Sequence, residues 1–234
     1  LCPTTILSMQ HYQTFAERFR DYPVRIEVLN RFVSKADQRR IIKGLKEGSI
    51  DIVIGTHRLL SKDIVWKDLG FLVIDEEQRF GVEHKERIKE LKNGIDVLSL
   101  SATPIPRTLQ MSLVGIRSLS QLNTPPSNRH PVQTYVIERN KGMIREIIQR
   151  ELSRGGQVFY LYNRIEQIYQ IANELRQAFP DIGIGVAHGR MDREEIEDVM
   201  MRFIDNAYQI LVCTTIIETG IDIPNANTII IDQA

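Results

Sequence analysis

The sequence contains little cysteine, no long apolar run and no excess of either charge. Its two cysteines, Cys2 and Cys213, stand near opposite ends and outside any Cys-x-x-Cys spacing, which excludes a disulfide framework and a cysteine-rich zinc site. Apolar runs reach only about four to six residues, whereas a membrane-spanning helix needs about 20. The first residues also lack the basic-then-apolar pattern of a signal peptide. We therefore expect a soluble cytoplasmic protein with no membrane partner.

Charge is balanced over the whole chain but not along it. The 30 basic residues equal the 30 acidic ones, yet residues 1–127 carry 19 basic and 15 acidic residues. Neither part is basic enough to indicate nucleic-acid binding from composition alone. Any DNA binding is therefore expected in local patches, for which Arg31–Lys46 and His84–Lys92 are candidates. The simpler interpretation of such charge clusters is a solvated helix face.

Short β-branched or apolar runs alternate with longer segments of helical period. The predicted strands are Val24–Val28, Ile50–Ile54, Phe71–Ile74, Asp96–Leu100, Gln133–Ile137, Gln157–Leu161, Gly183–Ala187, Gln209–Cys213 and Thr228–Ile231. The predicted helices are Thr5–Phe19, Lys35–Glu47, Lys85–Leu91, Lys141–Ser153, Glu166–Phe179 and Arg193–Phe203. Strands that are apolar on both faces, with helices between them, indicate parallel sheets of the α/β class. Ser34 and Asp192 directly precede predicted helices and suit the N-cap position.

One segment, Asn123–Pro131, interrupts this alternation with turn-forming residues. It is predicted to be a linker, so that residues 1–126 and 127–234 would form two α/β domains. In such an arrangement ligands are expected in the cleft between the two domains, facing the carboxyl ends of the strands.

Two segments at predicted strand ends carry the residues with the clearest chemistry. Phe71–Ile74 runs directly into Asp75-Glu76-Glu77-Gln78, and adjacent carboxylates at the end of a buried strand repel one another unless a cation neutralises them. Such a strand end can hold magnesium and orient an attacking water in phosphoryl transfer. The alternative is an acidic surface turn. The next predicted strand ends in Ser101-Ala102-Thr103-Pro104, whose small hydroxyls can hydrogen-bond the acidic group, while Thr103 also suits a helix N-cap before a proline.

These two segments resemble motifs II and III of the superfamily 2 helicases and translocases. Pro3-Thr4-Thr5 resembles motif Ia, and Gly55-Thr56-His57 resembles motif Ib. Val158–Asn163 resembles motif IV, His188–Met191 resembles the segment after it, and Thr214–Pro224 resembles motif V. The runs EEQRFGVEHKERIKELK and SATPIPRTLQMSLVGIRSLS resemble a narrower family within this superfamily. That family is the translocase module of the bacterial transcription-repair coupling factors. The branch-migration helicase RecG shares similar segments, but Gln78 and the stretch after Arg107 fit the coupling factors better.

The resemblance implies a fold and a nucleotide site. The fold would be two RecA-like parallel-sheet lobes, three-layer α/β/α, both incomplete at the chain ends. The cofactors would be ATP and Mg²⁺: Asp75 would hold the metal through its water shell, and Glu76 would orient or deprotonate the attacking water. Gln78, Ser101 and Thr103 would couple the state of the nucleotide to domain closure.

The same resemblance implies residues of the second lobe and a DNA-binding surface. Gly220 and Asp222 would lie near the nucleotide, and Thr215 and Glu218 near DNA or the contact between the lobes. In the first lobe, the residues expected on DNA phosphates are Thr5, Thr56, His57 and Arg58. Hydroxyls and backbone amides bind phosphate without reading bases. The histidines His11, His84 and His130 show no ligand spacing and are assigned no chemistry.

Two elements of a complete motor are not found among these residues. No Gly-x-x-x-x-Gly-Lys-Ser/Thr loop occurs, although a nucleoside triphosphatase needs that loop and its lysine to bind phosphate. The arginine segment that follows motif V in the family is also missing. We therefore expect the 234 residues to be a fragment of a larger motor and to lack ATPase activity alone.

The function expected from the resemblance is ATP-driven translocation on double-stranded DNA that displaces stalled RNA polymerase. RNA polymerase and repair proteins would bind through regions outside this chain. The alternatives are a branch-migration helicase similar to RecG, a metal-dependent nuclease using Asp75, Glu76 and Glu77, and a non-catalytic DNA-binding fragment. The nuclease is disfavoured because Val97–Ser101 offers neither the extra carboxylate nor the lysine that such sites usually need.

Overall fold

A computed structural model gives the structure of the chain and describes residues 1–102, 118–124, 131–215 and 221–233. The chain divides into two compact units, Leu1–Pro131 and Val132–Ala234. Each unit contains parallel strands and helices, which confirms the predicted α/β class. Among the described residues, no helix is long and apolar enough to cross a membrane.

The first unit begins with helix α1 and alternates strands with helices. Its strands are β1 (Ile26–Leu29), β2 (Ile52–Gly55), β3 (Phe71–Asp75) and β4 (Asp96–Leu100). Its helices are α1 (Thr5–Arg18), α2 (Lys35–Glu47) and α3 (Val82–Leu91), with short 3₁₀ turns at His57–Leu60 and Glu77–Arg79. Strand β1 pairs with β2, and β3 pairs with β4, both in parallel.

Residues Leu1 and Cys2 connect these two strand pairs. The backbone nitrogen of Leu1 donates to the carbonyl oxygen of Val73 at 2.8 Å, and the Asp75 N–H donates to the Leu1 carbonyl at 2.9 Å. On the other side, the Cys2 N–H donates to the Gly55 carbonyl at 3.0 Å. The two residues therefore lie between β2 and β3, so that the carboxyl ends of all four strands share one edge.

The second unit is a four-stranded parallel sheet with the order β6-β7-β5-β8. Its strands are β5 (Val158–Tyr162), β6 (Ile184–Ala187), β7 (Ile210–Cys213) and β8 (Thr228–Asp232), and its helices are α4 (Lys141–Ser153), α5 (Ile165–Ala178) and α6 (Arg193–Ile204). Every residue of β6 and β7 is buried. Helix α5 presents Ile168, Ile171, Ala172 and Leu175 to the sheet, at the three- and four-residue spacing of a buried helix face.

The predicted helix starts are confirmed at both N-caps. The Ser34 hydroxyl accepts the Asp37 N–H at 3.1 Å, and α2 ends at Gly48 in the left-handed conformation that glycine tolerates. At the start of α6, the Asp192 N–H donates to Glu195 Oε2 at 3.1 Å. Such contacts satisfy backbone groups that a helix terminus leaves without an intrahelical partner.

One predicted strand, Gln133–Ile137, is wrong. Residues 131–140 form neither strand nor helix, and Val132 and Val136 are 90% and 97% exposed. Alternation of apolar residues favours a strand only where a neighbouring strand can satisfy the backbone hydrogen bonds. Among the described strands, none pairs with this segment.

Candidate functional site

The carboxyl edge of the first unit brings together the two segments that the sequence predicted to meet. Asp75 is the last residue of β3 and is paired in register with Leu100 of β4. The Glu76 N–H then donates to the Leu100 carbonyl at 3.0 Å. Ser101, directly after β4, is therefore adjacent to the acidic segment and is itself exposed. Thr103, Pro104 and Arg107 lie outside the described residues.

Glu76 has an unusual backbone conformation that turns its side chain toward the end of β4. Its φ and ψ angles are 50° and 48°, in the left-handed region that non-glycine residues rarely adopt. The residue is 5% exposed, and its carboxylate accepts the Ala102 N–H on Oε1 at 3.1 Å. The Gln78 side-chain amide donates to the other oxygen, Oε2. A buried carboxylate is thus fixed between the ends of two strands.

Gln78 completes only part of its own hydrogen bonding. Its amide nitrogen binds Glu76, whereas its buried Oε1 has no hydrogen-bond partner within the described residues. A buried acceptor without a partner is costly, so this oxygen is positioned for a donor that those residues do not supply. That property suits a group that senses a ligand.

Asp75 is bound by a residue that the sequence did not associate with it. His11 of α1 places Nε2 at 2.9 Å from Asp75 Oδ2. An ionised carboxylate only accepts hydrogen bonds, so this nitrogen carries the hydrogen. The contact lowers the pKa of Asp75 below its ordinary value, against the opposing effect of its partial burial. Asp75 is therefore kept ionised, as a carboxylate that holds a cation must be.

Glu77, the third adjacent carboxylate, is held by the protein itself. Lys92, which follows α3, places Nζ at 2.8 Å from Glu77 Oε1. Ser99 of β4 donates its hydroxyl to Oε2, also at 2.8 Å. Of the three acidic residues, Glu77 therefore pairs with a lysine, whereas Asp75 and Glu76 have the partners described above. Neither Lys92 nor Ser99 could be identified from a motif, because each contributes one side chain from a separate element.

The donor atoms at this edge fit magnesium. Carboxylate oxygen is the ligand type that Mg²⁺ prefers, and this ion is commonly held by one or two carboxylates together with waters and substrate phosphates. Among the described residues, no group of three or more His, Cys, Asp or Glu side chains is arranged to hold a metal. The ionised Asp75 therefore fits an ion held by one or two carboxylates together with waters and phosphates, and not an ion enclosed by protein ligands alone.

The residues predicted to contact DNA in the first unit lie at the same edge but differ in accessibility. Thr5 and Thr56 are buried at the starts of α1 and of the His57–Leu60 turn, respectively. His57 is exposed, and its ring stacks on His84 with centroids 5.3 Å apart. Of these three residues, His57 is therefore the exposed one.

Arg58 is occupied by neighbouring side chains. Its two terminal nitrogens donate to the carboxylate of Asp63 at 2.8 and 2.7 Å, and its Nε donates to Gln38 Oε1 at 3.2 Å. The Asp63 hydrogen bond raises the pKa of Arg58, and the Arg58 hydrogen bond lowers the pKa of Asp63. The charge predicted to meet phosphate is therefore balanced by Asp63 in this structure.

In the second unit, the predicted residues are only partly covered by the described ranges. Thr215 is exposed just after β7, and Asp222 is exposed in the segment before β8. Glu218 and Gly220 lie outside the described residues. Beside the carboxyl end of β7, the carboxyl end of β6 is followed by His188, which is buried and shares a 2.9 Å hydrogen bond with the Tyr169 hydroxyl.

An ionic cluster around the buried Asp232 also ends β8. The Asp232 carboxylate accepts Arg139 Nε at 2.9 and 3.1 Å and the Tyr160 hydroxyl at 2.7 Å. Burial, with the Asp232 contact, raises the pKa of Tyr160. This cluster joins the segment before α4 to the middle of the sheet.

Comparison with protein-family models gives two matches along the chain. Residues 1–112 match the DEAD/DEAH box helicase model, and residues 140–234 match the helicase conserved C-terminal domain. The nucleotide and DNA candidates of the first unit fall within the first match, and those of the second unit within the second.

Curated relatives extend the similarity over all 234 residues. The chain is 58% identical to the transcription-repair-coupling factor of Staphylococcus aureus (strain USA300) and 59% identical to that of Bacillus subtilis (strain 168). It spans 20% of the length of each.

Among solved structures, RecG bound to a three-way DNA junction superimposes with a TM-score of 0.77. It is 35% identical over 98% of this chain and 31% of its own chain. Dbp5 of S. cerevisiae bound to RNA superimposes with a TM-score of 0.65 over 98% of this chain and 60% of its own, but is 15% identical, which shows the fold alone.

Proposed function

Because the chain belongs to the superfamily 2 helicases, we propose that it forms part of an ATP-dependent translocase on double-stranded DNA. The translocase would displace stalled RNA polymerase and couple transcription to DNA repair in the cytoplasm. The observation that carries this proposal is the fixed Asp75–Glu76 pair at the end of β3, in a chain 58% identical throughout to a transcription-repair-coupling factor. RNA polymerase and repair proteins would be bound by parts of a longer protein.

The nucleotide chemistry is assigned to the carboxyl edge of the first unit. Asp75, kept ionised by His11, would hold Mg²⁺ through its water shell, and the ion would supply positive charge beside the phosphates. Glu76 orients the attacking water and receives its proton. Its buried position between Ala102 and Gln78 suits this role, because a fixed base loses little entropy on reaching the reactive geometry.

The coupling roles are assigned to the polar residues around this pair. Gln78 has an unpaired buried oxygen within the described structure, so it can respond to a ligand that supplies a donor. Ser101 and Thr103 follow β4, whose end is hydrogen-bonded to Glu76. Gly220 and Asp222 of the second lobe are assigned to the nucleotide by the family resemblance. The proposed lobes are residues 1–126 and 127–234.

DNA binding is assigned to residues of both lobes that would contact phosphates, so that binding would not depend on the base sequence. The assigned residues are Thr5, Thr56, His57, Arg58, Thr215 and Glu218. Contacts to phosphate make affinity fall steeply with salt, because each neutralised phosphate releases counterions. Binding that resisted salt or preferred one sequence would contradict this assignment.

Branch migration on forked DNA is the second candidate function. It is favoured by the RecG structure, which is 35% identical and superimposes with a TM-score of 0.77. The two candidates share the site described above and differ in the DNA that stimulates ATP turnover.

The test is ATP turnover by a longer polypeptide that contains this chain with a lysine loop and an arginine segment. The 234 residues alone, which contain no such loop, should hydrolyse ATP at background rate. In the longer polypeptide, linear duplex should stimulate turnover more than single-stranded DNA does. Stimulation by forked DNA alone would favour branch migration. Glu76→Gln should abolish turnover, and turnover that survives this change would contradict the proposed site.

A further inference from the structure

His11 of α1 is the side chain that holds the carboxylate of Asp75. Its Nε2 lies 2.9 Å from Asp75 Oδ2, and no other side chain among the described residues hydrogen-bonds this carboxylate. The side chains of His11 and Asp75 are 39% and 21% exposed, so a carboxylate without this partner could rotate toward solvent. One hydrogen bond from a neighbouring helix therefore sets the orientation of the residue assigned to magnesium.

The backbone of Asp75 is held by the same segment of the chain. The Asp75 N–H donates to the Leu1 carbonyl at 2.9 Å. From Leu1 the chain passes through Thr4, the N-cap of α1, into the helix that carries His11. Residues 1–11 therefore contact Asp75 at both its backbone and its side chain, which fixes the two side chains relative to each other.

The amino-terminal half of α1 is itself fixed by buried contacts. Residues 5–8 are all buried, and the Ser8 hydroxyl accepts the side-chain amide of the fully buried Asn30 at 2.8 Å. His11 follows Leu7 by four residues and Ser8 by three, so it lies one turn further along the same face. The imidazole is thus presented by a helix that cannot rotate without breaking buried contacts.

The ring of His11 uses one nitrogen as a hydrogen-bond donor. An ionised carboxylate only accepts, so Nε2 carries the hydrogen. In the part of the chain that the structure describes, Nδ1 has no hydrogen-bond partner, and water can reach it because the ring is partly exposed. Outer partners of this kind orient the groups that hold a metal, and their removal commonly costs about 10- to 100-fold in metal affinity.

We propose that His11 is a positioning residue for the proposed magnesium site. By donating from Nε2, it fixes the orientation of the Asp75 carboxylate before the ion binds, so that less entropy is lost on binding. His11 itself contacts neither the ion nor the nucleotide. This inference rests on the proposed function and adds to it a residue outside the motifs that the sequence resembles.

The experiment measures metal affinity in the longer polypeptide that contains this chain with a lysine loop and an arginine segment. With ADP bound to supply phosphates, electron paramagnetic resonance measures free Mn²⁺, a probe that takes the same oxygen ligands as Mg²⁺. The variants are His11→Ala, His11→Gln and His11→Asn. Gln13→Ala is the matched control, because Gln13 is exposed and lies about 200° around the α1 axis from His11.

The three variants at His11 should differ according to where they can donate. His11→Ala should weaken Mn²⁺ binding about tenfold, because the carboxylate loses the partner that orients it. His11→Gln should stay within about threefold of the parent, since its amide nitrogen can donate from nearly the place of Nε2. His11→Asn has a shorter side chain that does not reach this place and should resemble His11→Ala. Gln13→Ala should bind Mn²⁺ as the parent does.

A second readout separates positioning from a general loss of structure. In His11→Ala, the Mg²⁺ concentration that gives half-maximal ATP turnover should rise about tenfold, while saturating Mg²⁺ restores most of the parent's turnover. A variant that was merely less folded would lose turnover at every Mg²⁺ concentration. In an Asp75→Ala background, His11→Ala should weaken Mn²⁺ binding no further, because no carboxylate then remains to be oriented.

Failure of this inference differs from failure of the proposed function. Unchanged Mn²⁺ affinity after Asp75→Ala would contradict the proposed function itself. If Asp75→Ala weakens Mn²⁺ binding but His11→Ala does not, this inference alone is overturned. Equal losses in His11→Gln and His11→Ala would also overturn it, because the donated hydrogen bond would then be irrelevant. Should His11→Ala melt below the assay temperature, the difference between His11→Gln and His11→Asn decides the question, since both keep a polar side chain.

Discussion

Lys92 Nζ lies 2.8 Å from Glu77 Oε1 and forms an ion pair with this carboxylate, the third of the acidic segment that ends β3. The Ser99 hydroxyl holds the other oxygen at the same distance. Glu77 is therefore bound by a lysine and a serine, whereas Asp75 is bound by His11, and Glu76 by Ala102 and Gln78. This arrangement weighs against a nuclease that would use all three, and it predicts different consequences for changes at Glu76 and Glu77.

Glu77→Gln should lower the stability of the first unit without removing the proposed catalytic base. The change removes an ion pair and turns an amide toward Lys92, which should cost about 1–2 kcal/mol. Trp66, the single tryptophan, reports unfolding of this unit in urea by its fluorescence. Glu86→Gln, at an exposed carboxylate of α3, is the matched control and should change the free energy of unfolding little. Equal effects at both positions would contradict the structural role of Glu77.

The contact between His11 and Asp75 predicts a pH-dependent contribution to stability. The His11 hydrogen bond holds the pKa of Asp75 below its ordinary value of 3.8. A carboxyl group shifted in this direction stabilises the fold above its unfolded pKa, and the contribution is lost as pH falls through the folded pKa. His11→Ala should therefore destabilise the first unit at pH 5 and progressively less below about pH 4. Urea unfolding followed by Trp66 at several pH values measures this, and a difference that is constant with pH would refute it.

Asp63→Ala should strengthen DNA binding by freeing Arg58. The carboxylate now binds both terminal nitrogens of that side chain, and its removal deletes a negative charge near the proposed phosphate path. We expect affinity to rise a few-fold at low salt, with a salt slope steeper by about 0.9. Asp68→Ala makes the same charge change before the amino end of β3 and should have a smaller effect. A weaker complex after Asp63→Ala would mean that Asp63 positions Arg58 for DNA.

Arg139→Met should destabilise the second unit. It leaves the buried Asp232 carboxylate with the Tyr160 hydroxyl but without its cation, at a cost of about 2–3 kcal/mol. Hydrogen exchange of the amides in β5 and β8 measures the change within this unit. Adding Asp232→Asn should restore part of the loss, because no buried charge then remains unpaired. Additive effects of the two changes would contradict coupling between these residues.

The two cysteine thiols should be unreactive in the folded chain. Burial raises the pKa of Cys2 and of Cys213 to about 12, so the reactive thiolate is scarce at pH 8. A chromogenic disulfide reagent should detect both thiols only after denaturant is added. The same shift implies stability that is complete below the unfolded pKa of 9.0 and is lost as pH rises toward the folded value. Rapid reaction of either thiol before unfolding would contradict its burial.

Local patterns in the sequence predicted most of the elements, because helix and strand periods are properties of short segments. Strand β4 and helices α2 and α4 have the predicted bounds, and the meeting of Asp75 with Ser101 follows from the shared edge of parallel strands. The segment Gln133–Ile137 has the alternation of a strand but no described strand beside it, which a local pattern cannot reveal.

The contacts made by single side chains could not be predicted. The sequence assigns His11 no chemistry, yet it binds Asp75 because the rotation of α1 turns this one side chain toward the end of β3. Lys92 and Asp63 act likewise through the placement of one charge. Each contact depends on how an element is rotated against its neighbours, and no spacing within a segment encodes that rotation.

Helix α1 links a residue assigned to DNA with the residue that binds Asp75. Its first residue, Thr5, is assigned to DNA, and His11, six residues later and therefore about 9 Å along the axis, holds Asp75. Just before the helix, Leu1 and Cys2 are hydrogen-bonded to β3 and β2. A displacement of Asp75 would therefore reach the Thr5 end through the first two turns of one helix. The proposed nucleotide and DNA contacts would thus be joined by the amino-terminal half of α1.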